Sequence, residues 1–215
     1  MDATVLRVLL VIAAYLSGSI PVGVLVARVS GGPDPRSVGS GRTGGTNALR
    51  ALGRKWATVV VLGDLAKGAV PVFAARFVTG DSGVEVACAF AAVVGASRSI
   101  FLRFGGGRGV GAGVGTMLVI QPIAVFLATP VFVAVILITR YVSLGSLLGS
   151  AAMFPAMLLI WAVASGTVPP AYLVWAVAGP ALIWLAHADN IDRLLHGKER
   201  KFDLGMLGGR RPGGA

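Results

Sequence analysis

Six apolar stretches occupy most of this chain: Val5–Ala27, Trp56–Val78, Val84–Leu102, Val110–Thr139, Val142–Ala164 and Pro170–Ala186. A bilayer core asks for about 20 consecutive apolar residues per helical span. Backbone polar groups inside it must bond within their own segment, which favours helices. The pattern therefore points to an all-α integral membrane bundle. Composition agrees: the 215 residues are 55% hydrophobic and 13% charged, where a soluble domain carries about 25% charge. The expected organisation is a single transmembrane domain over residues 1–207 and a disordered tail at 208–215.

The connections between stretches differ sharply in charge. Arg28, Arg36, Arg42, Arg50, Arg54 and Lys55 fill the first connection against Asp34 alone. Arg98, Arg103 and Arg108 form a second basic patch, and Arg193, Lys198, Arg200, Lys201, Arg210 and Arg211 a third. Thr79–Gly83 holds only Asp81, and Ser165–Pro169 holds no charge. Basic connections stay on the cytoplasmic side, so the N-terminus is expected outside and the C-terminus inside. Between Arg108 and the basic tail the chain must then cross an even number of times. The last two stretches supply two crossings, so Val110–Thr139 supplies two or none. It contains Gln121-Pro122 and Pro130; two short or tilted helices turning near Gln121–Pro130 give about seven spans, and none gives five.

The first stretch has the outline of a signal peptide, with Arg7, an apolar run to Leu16 and small residues Ser17-Gly18-Ser19. Apolar residues resume through Ile20–Ala27, so it is read as an uncleaved first helix. The net charge of +10 would suggest nucleic acid in a soluble protein. Here the positive-inside rule accounts for much of it. The basic loops hold only Trp56, Phe101, Phe104 and Phe202 as stacking platforms, so no nucleic-acid partner is expected. Cys88, the only cysteine, cannot form an intramolecular disulfide. No transporter-type inverted repeat is visible.

Three clusters carry chemistry. Between Ser37 and Arg54 the chain reads SVGSGRTGGTNALRALGR. Glycine-freed backbone amides beside guanidinium groups make an anion-binding concavity. Thr46 or Asn47 is a candidate cap for a short helix Ala48–Leu52 ended by Gly53, and a helix N-terminus attracts phosphate. The bland alternative is a flexible loop meeting lipid headgroups. The second cluster is FGGGRGVGAGVG, Phe104–Gly115. It lacks the Lys-Ser/Thr pair of a Walker loop and the strand that precedes a dinucleotide fingerprint. Gly105–Gly109 are assigned to a ligand, and Gly111, Gly113 and Gly115 to close helix packing. The third is HADNIDRLLHGKER, where His187, Asn190 and Arg193 fall at i, i+3 and i+6 on one side of a helix. Lys198, Arg200 and Lys201 read as a run facing headgroups. Arg140, Ser143 and Ser146 sit near an expected helix end. Asp64 and Lys67, three apart inside an apolar stretch, are read as an internal ion pair. No Ser-His-Asp set, His-x4-Asp box or metal-ligand cluster is evident.

Taken in order, these segments resemble the PlsY family of membrane acyltransferases of bacterial phospholipid synthesis. YLSGSIPVGVLVAR is similar to its first helix and GSGRTGGTNALRALG to its first motif. GDLAKGAVPV is similar to its LD-x-x-KG stretch, GGGRGV to its second motif, RYVSLGS to a helix-end signature and HADNIDRLLHGKERK to its third motif. The resemblance implies a seven-helix bundle in the cell (inner or plasma) membrane with its site facing the cytoplasm. It implies transfer of a fatty acyl group from acyl-phosphate to the 1-hydroxyl of glycerol 3-phosphate, giving lysophosphatidic acid and phosphate. No cofactor or metal is implied, and the donor's own phosphate is taken to accept the hydroxyl proton. The implied partners are the two substrates, membrane lipid and the enzymes that supply acyl-phosphate. Ser40, Arg50, Arg108, His187 and Asn190 are the implied catalytic residues. Gly41, Thr46, Asn47, Gly106, Gly107, Ser143 and Arg193 are the implied substrate contacts. The acyl chain is expected in a groove between helices, open to lipid.

The chain departs from that pattern at named positions. Arg42 stands where the family has asparagine, and Arg108 where it has lysine. Gly111-Ala112 replace Ala-Thr, Ala96 replaces a histidine and Ala188 an arginine. An arginine fork does not place charge as an ammonium does. Two other readings therefore stand beside the enzyme: a degenerate paralogue that binds phosphate ligands or lipid-synthesis partners, and a small organic-phosphate transporter.

Overall fold

The computed structural model describes residues 2–164 and 168–208. Its elements are α1 (Ala3–Ser19), α2 (Val22–Ser30), α3 (Gly45–Leu52), α4 (Arg54–Thr79), α5 (Ser82–Ser97), α6 (Val110–Ile120), α7 (Pro122–Thr139), α8 (Val142–Ala151), α9 (Met153–Val163), α10 (Pro170–Ala186) and α11 (Ala188–Leu195). Among the described residues the chain is helical, with an isolated bridge between Ser99 and Gly105. The last turn, Leu204–Gly208, is a 3₁₀ helix. Gly208 is thus structured, and the rest of the expected tail lies outside the described residues.

Proline sets the main departures from the expected spans. The first stretch is two helices bent by 44° at Ile20-Pro21, not one. Pro21 has no N–H to give the helix, and side chains bond the carbonyls at the kink. Ser99 Oγ donates to Ser19 O at 2.5 Å and Lys67 Nζ to Ile20 O at 3.3 Å. Val110–Thr139 does divide into two helices, at Gln121-Pro122, with Pro122 at the first turn of α7 where a missing N–H costs little. Pro130 lies inside α7 and does not break it. The third stretch ends as a helix at Ser97 and continues into a 3₁₀ turn at Ile100–Leu102. The fifth is divided at Ala152.

Three helical segments are long and apolar enough to cross a membrane: α4, α7 and Val142–Val163. The α1–α2 pair, and the α10–α11 pair with its 66° bend, qualify as bent units, while α5 and α6 are shorter apolar helices.

Glycine allows these helices to touch. A Cβ on Gly18 would stand 2.0 Å from Ala92 O, so α1 and α5 meet backbone to backbone. A Cβ on Gly115 would stand 2.0 Å from Leu65 O, and one on Gly68 2.1 Å from Ala112 O, which joins α4 to α6. The packing role assigned to Gly111 and Gly115 is therefore observed. The expected Asp64–Lys67 pair is present at 2.8 Å. A second internal network lies at the other end of the bundle: Arg76 Nη2 donates to Glu85 Oε2 at 2.8 Å, and Tyr172 Oη donates to the same oxygen at 2.8 Å. Near it, Arg7 of α1 pairs with Asp81 of the α4–α5 turn at 3.1 Å. That end carries the charge-poor turn, opposite the basic loops.

Candidate active site

The first loop is folded onto the bundle rather than flexible. Gly39 and Gly41 adopt φ of +57° and +70°, a left-handed conformation that suits glycine. A Cβ on Gly39 would lie 2.5 Å from Asn47 Oδ1 and 2.7 Å from Arg50 Nη1. The helix that follows begins at Gly45, not Ala48, with Gly44 as its cap; Gly53 ends it as expected. Neither Thr46 nor Asn47 caps it. Asn47, buried in the first turn, holds the loop instead. Its Nδ2 donates to Arg42 O at 2.9 Å and to Ser40 Oγ at 3.2 Å, and its Oδ1 accepts from Arg50 Nη1 at 3.0 Å. The first amides of α3, at Gly45 and Thr46, have no intrahelical acceptor.

The second cluster packs against the first. Gly107 N–H donates to Ala96 O at 2.9 Å, so this amide is occupied by α5 and not free for a ligand. A Cβ on Gly106 would lie 2.7 Å from Ala96 O, and one on Gly107 would lie 3.4 Å from Thr43 Oγ1. Gly109 caps α6 with φ +77°. Ala96 thus acts through its carbonyl, which a change of side chain leaves in place.

Arg108 reaches the third cluster rather than standing free over an anion. Its guanidinium forks onto Asp189 at 2.6 and 2.9 Å and donates to Ala186 O at 2.7 Å. Arg193 donates to Glu199 Oε2 at 2.8 Å and to Asp189 Oδ2 at 3.2 Å. Glu199 also accepts from Asn190 Nδ2 at 2.7 Å and Ser143 Oγ at 3.1 Å. Two expected substrate contacts, Ser143 and Arg193, and the expected catalytic Asn190 therefore converge on one carboxylate that is only 8% exposed. Asn190 Oδ1 is buried with no partner among the described residues. The segment after Glu199 is held by Phe202 N–H, which donates to Arg140 O at 2.6 Å.

Asp189 and Glu199 were not among the sequence candidates. Asp189 lies four residues before Arg193, a helical pairing distance. Glu199 was the single acid in the run Lys198–Lys201, read as facing headgroups. Of the expected residues, Thr46 is partly buried and Gly41 exposed. His187 lies between α10 and α11, 1% exposed, with Nδ1 2.7 Å from Ile183 O.

The electrostatics follow from this geometry. The Arg108 fork holds Asp189 well below the usual carboxylate range. Burial, with Arg108 nearby, pushes His187 down to about 4, so it is neutral near pH 7. Burial lowers Arg50, with Arg200 adding to the effect, and lowers Arg42, with Arg108, Arg98 and Arg193 adding to it. All three basic clusters thus meet in one region, although they are about 60 and 80 residues apart in sequence. Among the described residues no group of His, Cys, Asp and Glu is arranged to hold a metal ion.

Residues 8–197 match the family model described as glycerol-3-phosphate acyltransferase. A glycerol-3-phosphate acyltransferase of Rubrobacter xylanophilus is 41% identical over 97% of this chain and 99% of its own length. One of Thermus thermophilus is 42% identical over 94% of this chain and 96% of its own. The crystal structure of PlsY, an integral membrane glycerol 3-phosphate acyltransferase, in its glycerol 3-phosphate form superposes with a TM-score of 0.84 at 36% identity, covering 95% of this chain and 99% of that one. The lysophosphatidic acid form gives 0.83 at 35% identity, with the same coverage. The chain belongs to the glycerol-3-phosphate acyltransferase family and is an acyltransferase of the PlsY type.

Proposed function

We propose that this chain transfers a fatty acyl group from acyl-phosphate to the 1-hydroxyl of glycerol 3-phosphate, at the cytoplasmic face of the cell membrane. The observation that carries the reading is the convergence of the three clusters into one cationic region built on two helix N-termini, those of α3 and α6. Two phosphates must be held there, one on each substrate.

The hydroxyl oxygen attacks the acyl carbonyl carbon, an ester bond forms, and the acyl–phosphate bond breaks to release phosphate. The proton of the hydroxyl needs an acceptor. Burial pushes His187 down to about 4 and leaves it a weak base. The donor's phosphate gains basicity as the acyl–oxygen bond breaks and takes the proton as it leaves. His187 keeps a positioning role: Nδ1 donates to Ile183 O, which leaves Nε2 to accept a hydrogen bond from the hydroxyl. Because acyl-phosphate already carries a good leaving group, the protein supplies orientation and fixed charge. Ser40, Asn47 and Arg50 order the first loop, Gly106 and Arg108 the second, and Ser143, Asn190 and Arg193 the third. Gly41, Thr46 and Gly107 shape the backbone around the phosphates.

We assign the acyl chain to the apolar side of a groove of about 600 Å³ lined by Pro21, Val24, Leu25, Phe101 and Leu102, with Arg28, Arg36 and Arg103 on its polar side. Seven crossings fit the loop charges, with the N-terminus outside. They require α5 and α6 to cross as well. The latter, 11 residues long, spans about 16 Å at 1.5 Å per residue and needs thinned or water-accessible surroundings. Purified protein given labelled glycerol 3-phosphate tests the donor. Lysophosphatidic acid is expected from acyl-phosphate and not from acyl-coenzyme A; efficient use of the thioester would contradict the reading.

A further inference from the structure

Three of the site's arginines are already engaged by the protein, whereas the residue that departs from the family's first motif is not. Arg108 spends its guanidinium on Asp189 and the Ala186 carbonyl. Arg193 is shared between Glu199 and Asp189. Arg50 donates to Asn47. Arg42, by contrast, makes no side-chain hydrogen bond or ion pair among the described residues, although it is only partly exposed.

Its position is fixed by its own backbone. Gly41 turns the chain at φ +70°, and Asn47 Nδ2 holds Arg42 O at 2.9 Å. The next residue, Thr43, is 6% exposed and wedged into the bundle. Its carbonyl would lie 2.2 Å from a Cβ on Gly23, and its hydroxyl 3.4 Å from a Cβ on Gly107. Arg42 is therefore delivered beside the Gly106–Arg108 turn, on the edge of the third cluster. The charges that act on it there are Arg108, Arg98 and Arg193, relieved only by Asp189. A guanidinium withdrawn from water among three others is an unbalanced arrangement, and an oxyanion in the gap balances it with two parallel hydrogen bonds.

We propose that Arg42 is a phosphate-binding residue of the active site, supplying the free guanidinium that Arg108, locked onto Asp189, does not. The inference rests on the activity proposed above and deepens it. The departures at positions 42 and 108 then compensate one another: the second motif's cation is diverted to the third motif, and the first motif replaces it. The ligand is a phosphate dianion, carried by either substrate or released as the product.

Full-length protein purified in detergent tests this with Arg42→Asn, the family's own residue, and Arg42→Lys. KM for each substrate is measured with inhibition by inorganic phosphate. Calorimetric binding of inorganic phosphate and of glycerol 3-phosphate adds a readout that needs no turnover. Arg42→Asn is expected to weaken inorganic phosphate by about tenfold or more and to raise KM more than it changes kcat. Arg42→Lys should recover part of the loss, because it restores the charge without the fork. A KM increase confined to glycerol 3-phosphate assigns Arg42 to the acceptor, and one confined to acyl-phosphate assigns it to the donor. If both KM values and phosphate binding in Arg42→Asn stayed within about twofold of wild type, the proposal would be overturned. Phosphate binding that depends on Arg42 in a protein without acyl transfer would overturn the proposed activity alone.

Discussion

His187 shows how environment decides the role of a side chain. Surrounded by Arg108, Asp189 and Glu199 yet withdrawn from water, it stays neutral through the range in which an ordinary histidine titrates. Its lowered pKa has a stability consequence. Between pH 6.5 and about 4 the unfolded chain takes up a proton that the folded chain refuses, so stability present above 6.5 is lost as the pH falls through that window. In His187→Gln this part of the acid sensitivity should disappear in thermal-denaturation curves. The acidic limb of kcat/KM should keep its position while kcat falls, because His187 positions the hydroxyl and does not take the proton. A limb that moved with the substitution would make His187 the base. Much at this scale was legible in sequence. Asn47, Arg50, Ser143, Asn190 and Arg193 stand out by spacing and resemblance; in the structure Arg50 bonds Asn47, and the other three meet at Glu199. Their hydrogen-bond partners were not legible: Glu199 was concealed in a basic run and Asp189 in an ordinary helical face, since partnership depends on contacts between distant segments.

The elements owe their positions to two opposing uses of small residues. Proline bends α1 into α2 at Pro21 and starts α7 at Pro122, while glycine allows α1, α4, α5 and α6 to approach until side chains no longer separate them. Charge parity leaves two crossings or none for Val110–Thr139, and Gln121-Pro122 divides that stretch into two helices. Pro130 could not be told from a breaker by sequence, because a proline inside a long apolar helix is tolerated where neighbouring segments accommodate it. Packing also separates two glycines that look alike. A Cβ on Gly115 would meet the Leu65 carbonyl at 2.0 Å, whereas one on Gly113 would meet the flexible Ile183 Cδ1 at 3.2 Å. Gly115→Ala is therefore expected to cost about 1–3 kcal/mol, the usual cost of overpacking, and Gly113→Ala much less. Thermal unfolding of the two variants in detergent measures the difference; equal midpoints would contradict the backbone contact between α4 and α6.

At the scale of the molecule, one end carries Asp81 with Arg7 and the charge-poor turn, and the other collects the three basic loops around Asp189 and Glu199. The apolar body between them carries these loops at one end. The substitutions at Ala96, Arg108 and Ala112 leave this arrangement standing: Ala96 works through its carbonyl, Arg108 joins two clusters, and Ala112 packs against Gly68. Their compatibility with the fold was not visible in the sequence, where each registered only as a departure. The most direct measurement is phosphate release by the purified chain from acyl-phosphate, with and without glycerol 3-phosphate. Release that requires both substrates and matches the lysophosphatidic acid formed is the expected result. Release that ignores glycerol 3-phosphate, or its absence in a folded protein that binds both phosphates, would contradict the account.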